Sequence, residues 1–275
     1  MKFDMTAAWN EATRLLGANR DVVMVVAGVF FFLPYVGFML LFMNQMADVQ
    51  AAQAASPDPE AMTNAMMGFY GEIWWVVLMM AVIQGIGMLG LLALLRDRAR
   101  PTVGEALKTG AKYLLPYLGA QILTSFIMLL LLLIPFVVAG AAGTGAGVLV
   151  GLVVAALAAY LFTKFSLVPP VIALERVGNP LTALGRSWAL TKGNTLRIFG
   201  FVVLLGIALL LISMVLGALI GIALAFAGAE TALIGQAFVS GFTNAVFVTI
   251  FLAVLAAIHR QLAGPVPETV GETFS

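Results

Sequence analysis

Between Lys112 and Lys164 the chain runs for 51 residues without a charged side chain. One helix of that length would measure about 75 Å, against roughly 30 Å for the hydrocarbon core of a bilayer. The stretch must therefore fold back, and the run from Gly140 to Gly147 is where glycines permit it. Shorter charge-free runs flank it. There are 26 residues between Asp21 and Asp48 and 23 between Glu72 and Arg96; the last two runs, Ile198 to Ala229 and Thr231 to Ile258, are separated by Glu230 alone. The predicted spans are 22–43, 73–95, 115–139, 147–172, 198–226 and 234–258.

Composition agrees: 62% of the chain is apolar and 10% is charged, where a soluble domain carries about a quarter charged residues. Lipid tails solvate Leu, Val and Phe as readily as a protein core does, so a lipid-facing exterior removes the need for polar surface. The expected fold class is an all-α membrane protein, with six transmembrane helices arranged as three repeats of an interfacial amphipathic helix plus a transmembrane hairpin. Residues 1–275 are read as a single integral membrane domain, with units at about 1–100, 101–179 and 180–265 and a short tail, 266–275. The net charge of +1 gives no reason to expect nucleic acid as a partner, and the absence of cysteine excludes disulfides, thiolate metal sites and cysteine catalysis. A cleaved signal peptide is not expected. The cleavage-like Ala52-Gln53-Ala54 follows an apolar run too long for one, and Asp4, Glu11 and Asp21 stand in the leader.

Six crossings place both ends of the chain on one side, and all 14 Lys and Arg then fall on that side, with Lys164 counted by proximity. The opposite side carries only acids: Asp48, Asp58, Glu60, Glu72 and Glu230. The positive-inside rule makes the basic side cytoplasmic. Its bases, Arg96, Arg98, Arg100, Arg186, Lys192 and Arg197 among them, are candidate contacts to anionic headgroups, each worth about 1 kcal/mol near the surface. The same bases also suffice to fix topology with no lipid recognition at all.

Each even-numbered span ends alike. Leu94-Leu95-Arg96 leads to Pro101, Ala173-Leu174-Glu175 to Pro180, and Ile258-His259-Arg260 to Pro265, with the charge five residues before the proline each time. The prolines recur at intervals of 79 and 85 residues. Ahead of each odd-numbered span lies a stripe at helical spacing: Met5, Trp9, Ala12 and Leu16; Val103, Leu107, Gly110 and Leu114; and Leu181, Leu184 and Trp188. Such segments are expected in the cytoplasmic interface, stripe toward the acyl boundary and lysines toward headgroups.

In the third unit, Pro169-Pro170-Val171-Ile172-Ala173-Leu174-Glu175, Pro180-Leu181-Thr182-Ala183-Leu184-Gly185-Arg186-Ser187-Trp188, Leu190-Thr191-Lys192-Gly193-Asn194 and Arg197-Ile198-Phe199 resemble a bacterial membrane-domain signature. The resemblance is to the membrane domain that accompanies some glycerophosphodiester phosphodiesterases and to the related YciC-type inner-membrane proteins. It covers roughly 35 residues closely, and the six-span layout extends it over most of the chain. It implies no catalytic residue here, because the phosphodiesterase chemistry belongs to a separate soluble barrel, and no loop in this sequence is expected to hold one.

Lys164 is the most suggestive single position, a base expected about 16 Å up its helix from Glu175 if that helix runs unbroken. At such depth a base needs a cavity or a partner. Pro169 and Pro170 free nearby carbonyls, as in the broken helices of transporters. The alternative is a helix ending near the prolines with Lys164 snorkelling to the headgroups. Gln84 and Thr249 stand at comparable points of the other even spans, so a shared polar seam is conceivable. Gly143, Gly147 and Gly151, and Gly217 and Gly221, recur every four residues. That spacing suits close helix packing or a self-association face.

The acidic outer loop 44–72 is rich in Met, yet without His or Cys nearby copper binding is not expected; a short helix on the outer leaflet is. His259, the only histidine, reads as an interfacial residue, and Gly143-Thr144-Gly145-Ala146-Gly147 lacks the lysine of a phosphate loop. No cofactor is expected. The functional expectation is a non-enzymatic inner-membrane protein, an accessory or scaffold in lipid organisation or in a partner complex, with membrane lipids as contacts and a protein partner or self-association permitted. A transporter of small molecules or lipids, with a midplane site near Lys164, is the second reading. An intramembrane enzyme is third, since acid–base work needs titratable groups in pairs.

Overall fold

The computed structural model describes residues 2–55, 59–96, 102–224, 226 and 228–264. Eleven α-helices and one π-helical turn account for almost all of them: α1 (Met5–Ala18), α2 (Arg20–Ala27), the π turn Gly28–Phe32, α3 (Leu33–Leu41), α4 (Met43–Ala55), α5 (Pro59–Leu94), α6 (Val103–Ala142), α7 (Thr144–Phe165), α8 (Val168–Leu174), α9 (Pro180–Thr191), α10 (Thr195–Leu224) and α11 (Ala229–Ala263). Six helical stretches are long and apolar enough to cross a bilayer: Arg20–Leu41, Met62–Leu94, Val103–Ala142, Thr144–Leu174, Thr195–Leu224 and Thr231–Ala263. Among the described residues the structure is helical with no strand, and the six long apolar helices are those of a membrane protein by length and composition. Large apolar side chains on these stretches point outward, Leu115, Ile122, Phe136 and Leu196 each more than two-thirds exposed.

Two spans are bent, each next to proline. Pro34 in the first turn of α3 has no N–H to give, and the ladder shifts register just before it, Leu33 N–H bonding to the Gly28 carbonyl across the π turn. The fourth span breaks at Ser166 and Leu167, and α8 restarts with Pro169 and Pro170 in its first turn, where their missing N–H groups are tolerated.

The starts of α1, α6 and α9 are capped from the side chain. Asp4 accepts from the Ala7 N–H at 2.9 Å. Asn179 accepts from Leu181 N–H, with Pro180 preset at the first helical position. Thr102 and Glu105 form a reciprocal capping box. Of the three stretches expected as interfacial helices, the first and third form separate helices, α1 and α9, and Gly193 at φ +80° turns the chain from α9 into α10. The second is not separate. Residues 103–114 are the first turns of the forty-residue α6, because nothing between Val103 and Leu114 stops a helix. Its stripe meets protein rather than lipid: Leu107 and Leu114 come against Gly90 and Gly85 of α5.

The outer loop 44–72 is also helical as far as it is described, with α4 within it and α5 beginning well before the expected Ile73. Trp74, Trp75 and Tyr70 on α5 are more than half exposed, as interfacial aromatics are.

The ends of α5, α8 and α11 meet in one buried cluster, with Leu91, Leu92, Val171, Ile172, Leu252 and Leu255 almost wholly enclosed. No hydrophobic drive separates helix from lipid inside a bilayer, so this cluster is held by packing and by polar links. The links tie the chain's two ends together. Phe3 N–H donates to Asn194 Oδ1 at 2.9 Å, Asp4 N–H to Gln261 Oε1 at 3.2 Å, and Arg260 pairs with Glu11 at 2.9 Å. The beginning of the chain, the segment before α10 and the end of α11 therefore share one end of the bundle, the basic end.

Of the expected packing glycines, Gly147 alone is needed for close approach. A Cβ there would stand 2.5 Å from Ala139 Cβ and 3.0 Å from the Pro135 carbonyl oxygen. Gly143 serves the turn between α6 and α7 instead, at φ +90°. Gly151 makes ordinary contact with Pro135, and Gly217 and Gly221 have no described atom within 4 Å of a would-be Cβ, so neither is a point of close helix approach among the described residues. Tighter than any of these is Gly110, whose Cβ would strike the Ile86 carbonyl oxygen of α5.

Candidate functional site

Where α5 ends, α6 begins and α8 ends, the chain leaves a cavity of about 470 Å³ at the basic end, lined by Arg96, Glu105, Lys108, Thr109, Lys112 and Arg176. Each base has a structural reason to be there. Arg96 follows the last turn of α5; Lys108 and Lys112 stand one turn apart on α6 and so share a face. Arg176 is the residue after the α8 cap and the one non-glycine with positive φ, +57°, among the described residues. A left-handed arginine costs roughly 1–2 kcal/mol. Glu175 and Arg176, adjacent in sequence, thereby serve different sites. The one carboxylate in the cavity, Glu105, already accepts from Thr102 N–H in the capping box. Four cations face it, an arrangement suited to phosphate oxygens.

Behind the cavity, Glu175 closes a network between α8, α9 and α11. Arg186 Nε donates to both its oxygens, at 3.1 and 3.0 Å, and His259 Nε2 lies 2.8 Å from Oε1. Burial alone would raise the Glu175 carboxyl, but the hydrogen bonds from Arg186 and His259 outweigh it and hold it below its ordinary value. An ionised carboxylate only accepts, so Nε2 of His259 carries the proton and donates it. Nδ1 then has no hydrogen-bond partner, and the ring is 2% exposed. Carboxylate and imidazole form an acid–base pair in chemistry, the imidazole buried and the carboxylate 19% exposed, and with Arg186 they link α8, α9 and α11. Arg186, a candidate headgroup contact, donates to Glu175 while its side chain stays 43% exposed.

His259 was not legible as a buried partner from its isolation in the composition. The proline register held the signal. One position before the recurrent charge stand Leu95, Leu174 and His259, all buried, so a polar residue there requires a partner. Lys108, Lys112 and Arg176 carried no such signal, since the cavity that unites them sets the end of α8, some sixty residues on, against the junction of α5 and α6.

Lys164 lies in the last turn of α7, 2% exposed, its ammonium 5.4 Å from the Tyr160 ring centre and 5.2 Å from that of Trp188. No carboxylate among the described residues pairs with it; the aromatic faces do the stabilising. The break at Ser166 frees its carbonyl, which Ser187 Oγ of α9 satisfies at 2.6 Å. The polar seam with Gln84 and Thr249 is not assembled by hydrogen bonds. Gln84 is half-buried on α5, and Thr249 is buried on α11 with its hydroxyl unpartnered. The physical reason is packing: α7 lies against α6, α9 and α10. Lys192 and Arg197 are exposed at the basic end. Arg98, Arg100, Pro101, Pro265 and the tail 266–275 lie outside the described residues.

No curated protein and no solved structure matches the chain. A family model does match, over residues 25–262, which takes in all but the first few residues of the six spans. The chain belongs to the family described as a domain of unknown function, DUF7847.

Proposed function

We propose that this is a non-enzymatic accessory or scaffold protein of a bacterial cytoplasmic membrane, both termini inside, that organises anionic lipid through its basic end. The observation that carries the reading is the cavity in which Arg96, Lys108, Lys112 and Arg176 face a single, already engaged carboxylate. A concave cluster of cations at headgroup level suits a phosphate better than scattered surface bases do. The three-unit layout and the resemblance to phosphodiesterase-linked membrane domains support an accessory role, in which any catalytic partner acts in trans. The test is native mass spectrometry of the full chain released from bilayers of mixed phosphatidylglycerol and phosphatidylcholine. Wild-type protein retains phosphatidylglycerol preferentially, and Lys108→Gln/Lys112→Gln/Arg176→Gln loses the preference. Equal retention of both lipids by wild type overturns the reading.

A transporter is the second reading, favoured by the broken fourth span with Lys164 beside the break. It requires a state in which Trp188 leaves Lys164. Substrate-dependent labelling of Lys164 is its signature.

A further inference from the structure

A second cavity, of about 340 Å³, lies between α3, α10 and α11 and belongs to no site described above. Its polar lining is Tyr35, Ser213, Gln236, Ser240, Thr243 and Asn244, with Gly217 adding no side chain and therefore leaving room. Asn244 is 16 residues before Arg260, hence about 24 Å from the basic end along α11, and Gln236 a further 12 Å or so. Against a core of roughly 30 Å, the cavity lies in the half of the bilayer away from the basic end and reaches the far interface.

Polar groups at that depth must be satisfied. Ser213 donates to the Leu209 carbonyl at 2.8 Å, and Gln236 Nε2 reaches Ser240 Oγ at 3.4 Å. Tyr35, Thr243 and Asn244 have no side-chain hydrogen bond to any described residue. Three helices thus bring uncharged donors and acceptors to one concavity, within the size range of about 300–1,000 Å³ typical of ligand pockets. No Lys, Arg, Asp, Glu or His lines it. A charged ligand would find no counter-ion there; an apolar one would leave the hydroxyls and amides unpaired. Hydroxyl groups, each donor and acceptor at once, match this lining.

We propose that this cavity is a binding site for a neutral polyhydroxylated moiety, either the sugar head of an uncharged glycolipid or a free sugar. Tyr35, Thr243 and Asn244 provide the hydrogen bonds that hold it.

The experiment uses the full chain in phosphatidylcholine nanodiscs. One arm includes monogalactosyldiacylglycerol and reads its retention by native mass spectrometry; the other titrates free galactose by scintillation proximity. Tyr35→Phe and Thr243→Val each delete a hydroxyl with little change of shape, and Asn244→Leu removes the amide. Retention of the galactolipid, weakened about fivefold to tenfold by each substitution, supports the proposal with a lipid as source. Saturable galactose binding with the same losses supports it with a solute as source. If neither probe binds wild type, or the variants bind as well as wild type, the proposal is overturned. It is equally overturned if Asn244→Leu only converts a dimer into a monomer, since Asn244 would then be a helix–helix hydrogen bond between two copies.

Discussion

Replacing Glu175 by alanine removes a carboxylate that three donor contacts share, and the structure says which lost contact dominates. Arg186 is 43% exposed at its side chain and can return to water, so its pairing is worth about 0–1 kcal/mol. His259 is 2% exposed and cannot. Its hydrogen bond to an ionised partner is worth about 1.5–3 kcal/mol, and once broken it leaves an imidazole unpartnered on both nitrogens. The expected loss is therefore about 2–4 kcal/mol, most of it assigned to His259. Adding His259→Leu to Glu175→Ala, which places at 259 the residue found at 95 and 174, recovers all but about 1 kcal/mol. The assay is equilibrium unfolding, in mixed micelles, of wild type, Glu175→Ala, His259→Leu, Arg186→Ala and the Glu175→Ala/His259→Leu double variant. If the double variant is as unstable as Glu175→Ala, or Arg186→Ala costs as much as Glu175→Ala, the assignment to His259 is wrong.

The same carboxylate sets a pH response. Its folded value lies below the unfolded one of about 4.3, so its contribution is complete above that pH and is lost as pH falls through the folded value. Unfolding curves below about pH 4 are expected to show an acid-sensitive increment that Glu175→Gln lacks; parallel pH profiles for the two proteins would contradict this. Gly147→Leu drives side-chain atoms into Ala139 and Pro135 and is expected to destabilise by about 1–3 kcal/mol or more, whereas Gly221→Leu enters open space and leaves the monomer's stability within about 0.5 kcal/mol. Equal effects on detergent unfolding would refute the distinction. Finally, Lys164 is expected to resist a membrane-impermeant amine reagent in wild type and to label readily in Trp188→Ala, because Trp188 and Tyr160 cover it. Rapid labelling of wild-type Lys164 would mean that it snorkels.

What was readable in the sequence followed from solvation. Charge-free stretches located all six spans, since a charge in hydrocarbon is expensive and its absence over twenty residues is hard to explain otherwise. Span ends were less legible. The 59–72 segment of α5 carries Glu60, Asn64 and Glu72, polar yet helix-compatible, so hydropathy stopped short while the backbone continued. Periodicity identified the stripe of Val103, Leu107, Gly110 and Leu114 but not its neighbour, because a face that fits lipid also fits α5. Spacing of small residues likewise marked Gly217 and Gly221, where no described atom lies within 4 Å of a would-be Cβ, and Gly110 was named only as part of a stripe and not as the glycine pressed against α5. The basic cavity and the neutral one were illegible because each joins two consecutive helices to a third segment distant in sequence.

The cysteine-free sequence permits the most direct test of where the basic end lies. Lys192→Cys marks that end, and Ala141→Cys marks the turn between α6 and α7 at the other, both on exposed residues. A maleimide that does not cross membranes is applied to intact cells and again after permeabilisation. The proposed orientation predicts labelling of Cys at 141 in intact cells and of Cys at 192 only after permeabilisation. Labelling at 192 in intact cells would put the bases outside, contradicting the cytoplasmic, headgroup-binding role assigned to them.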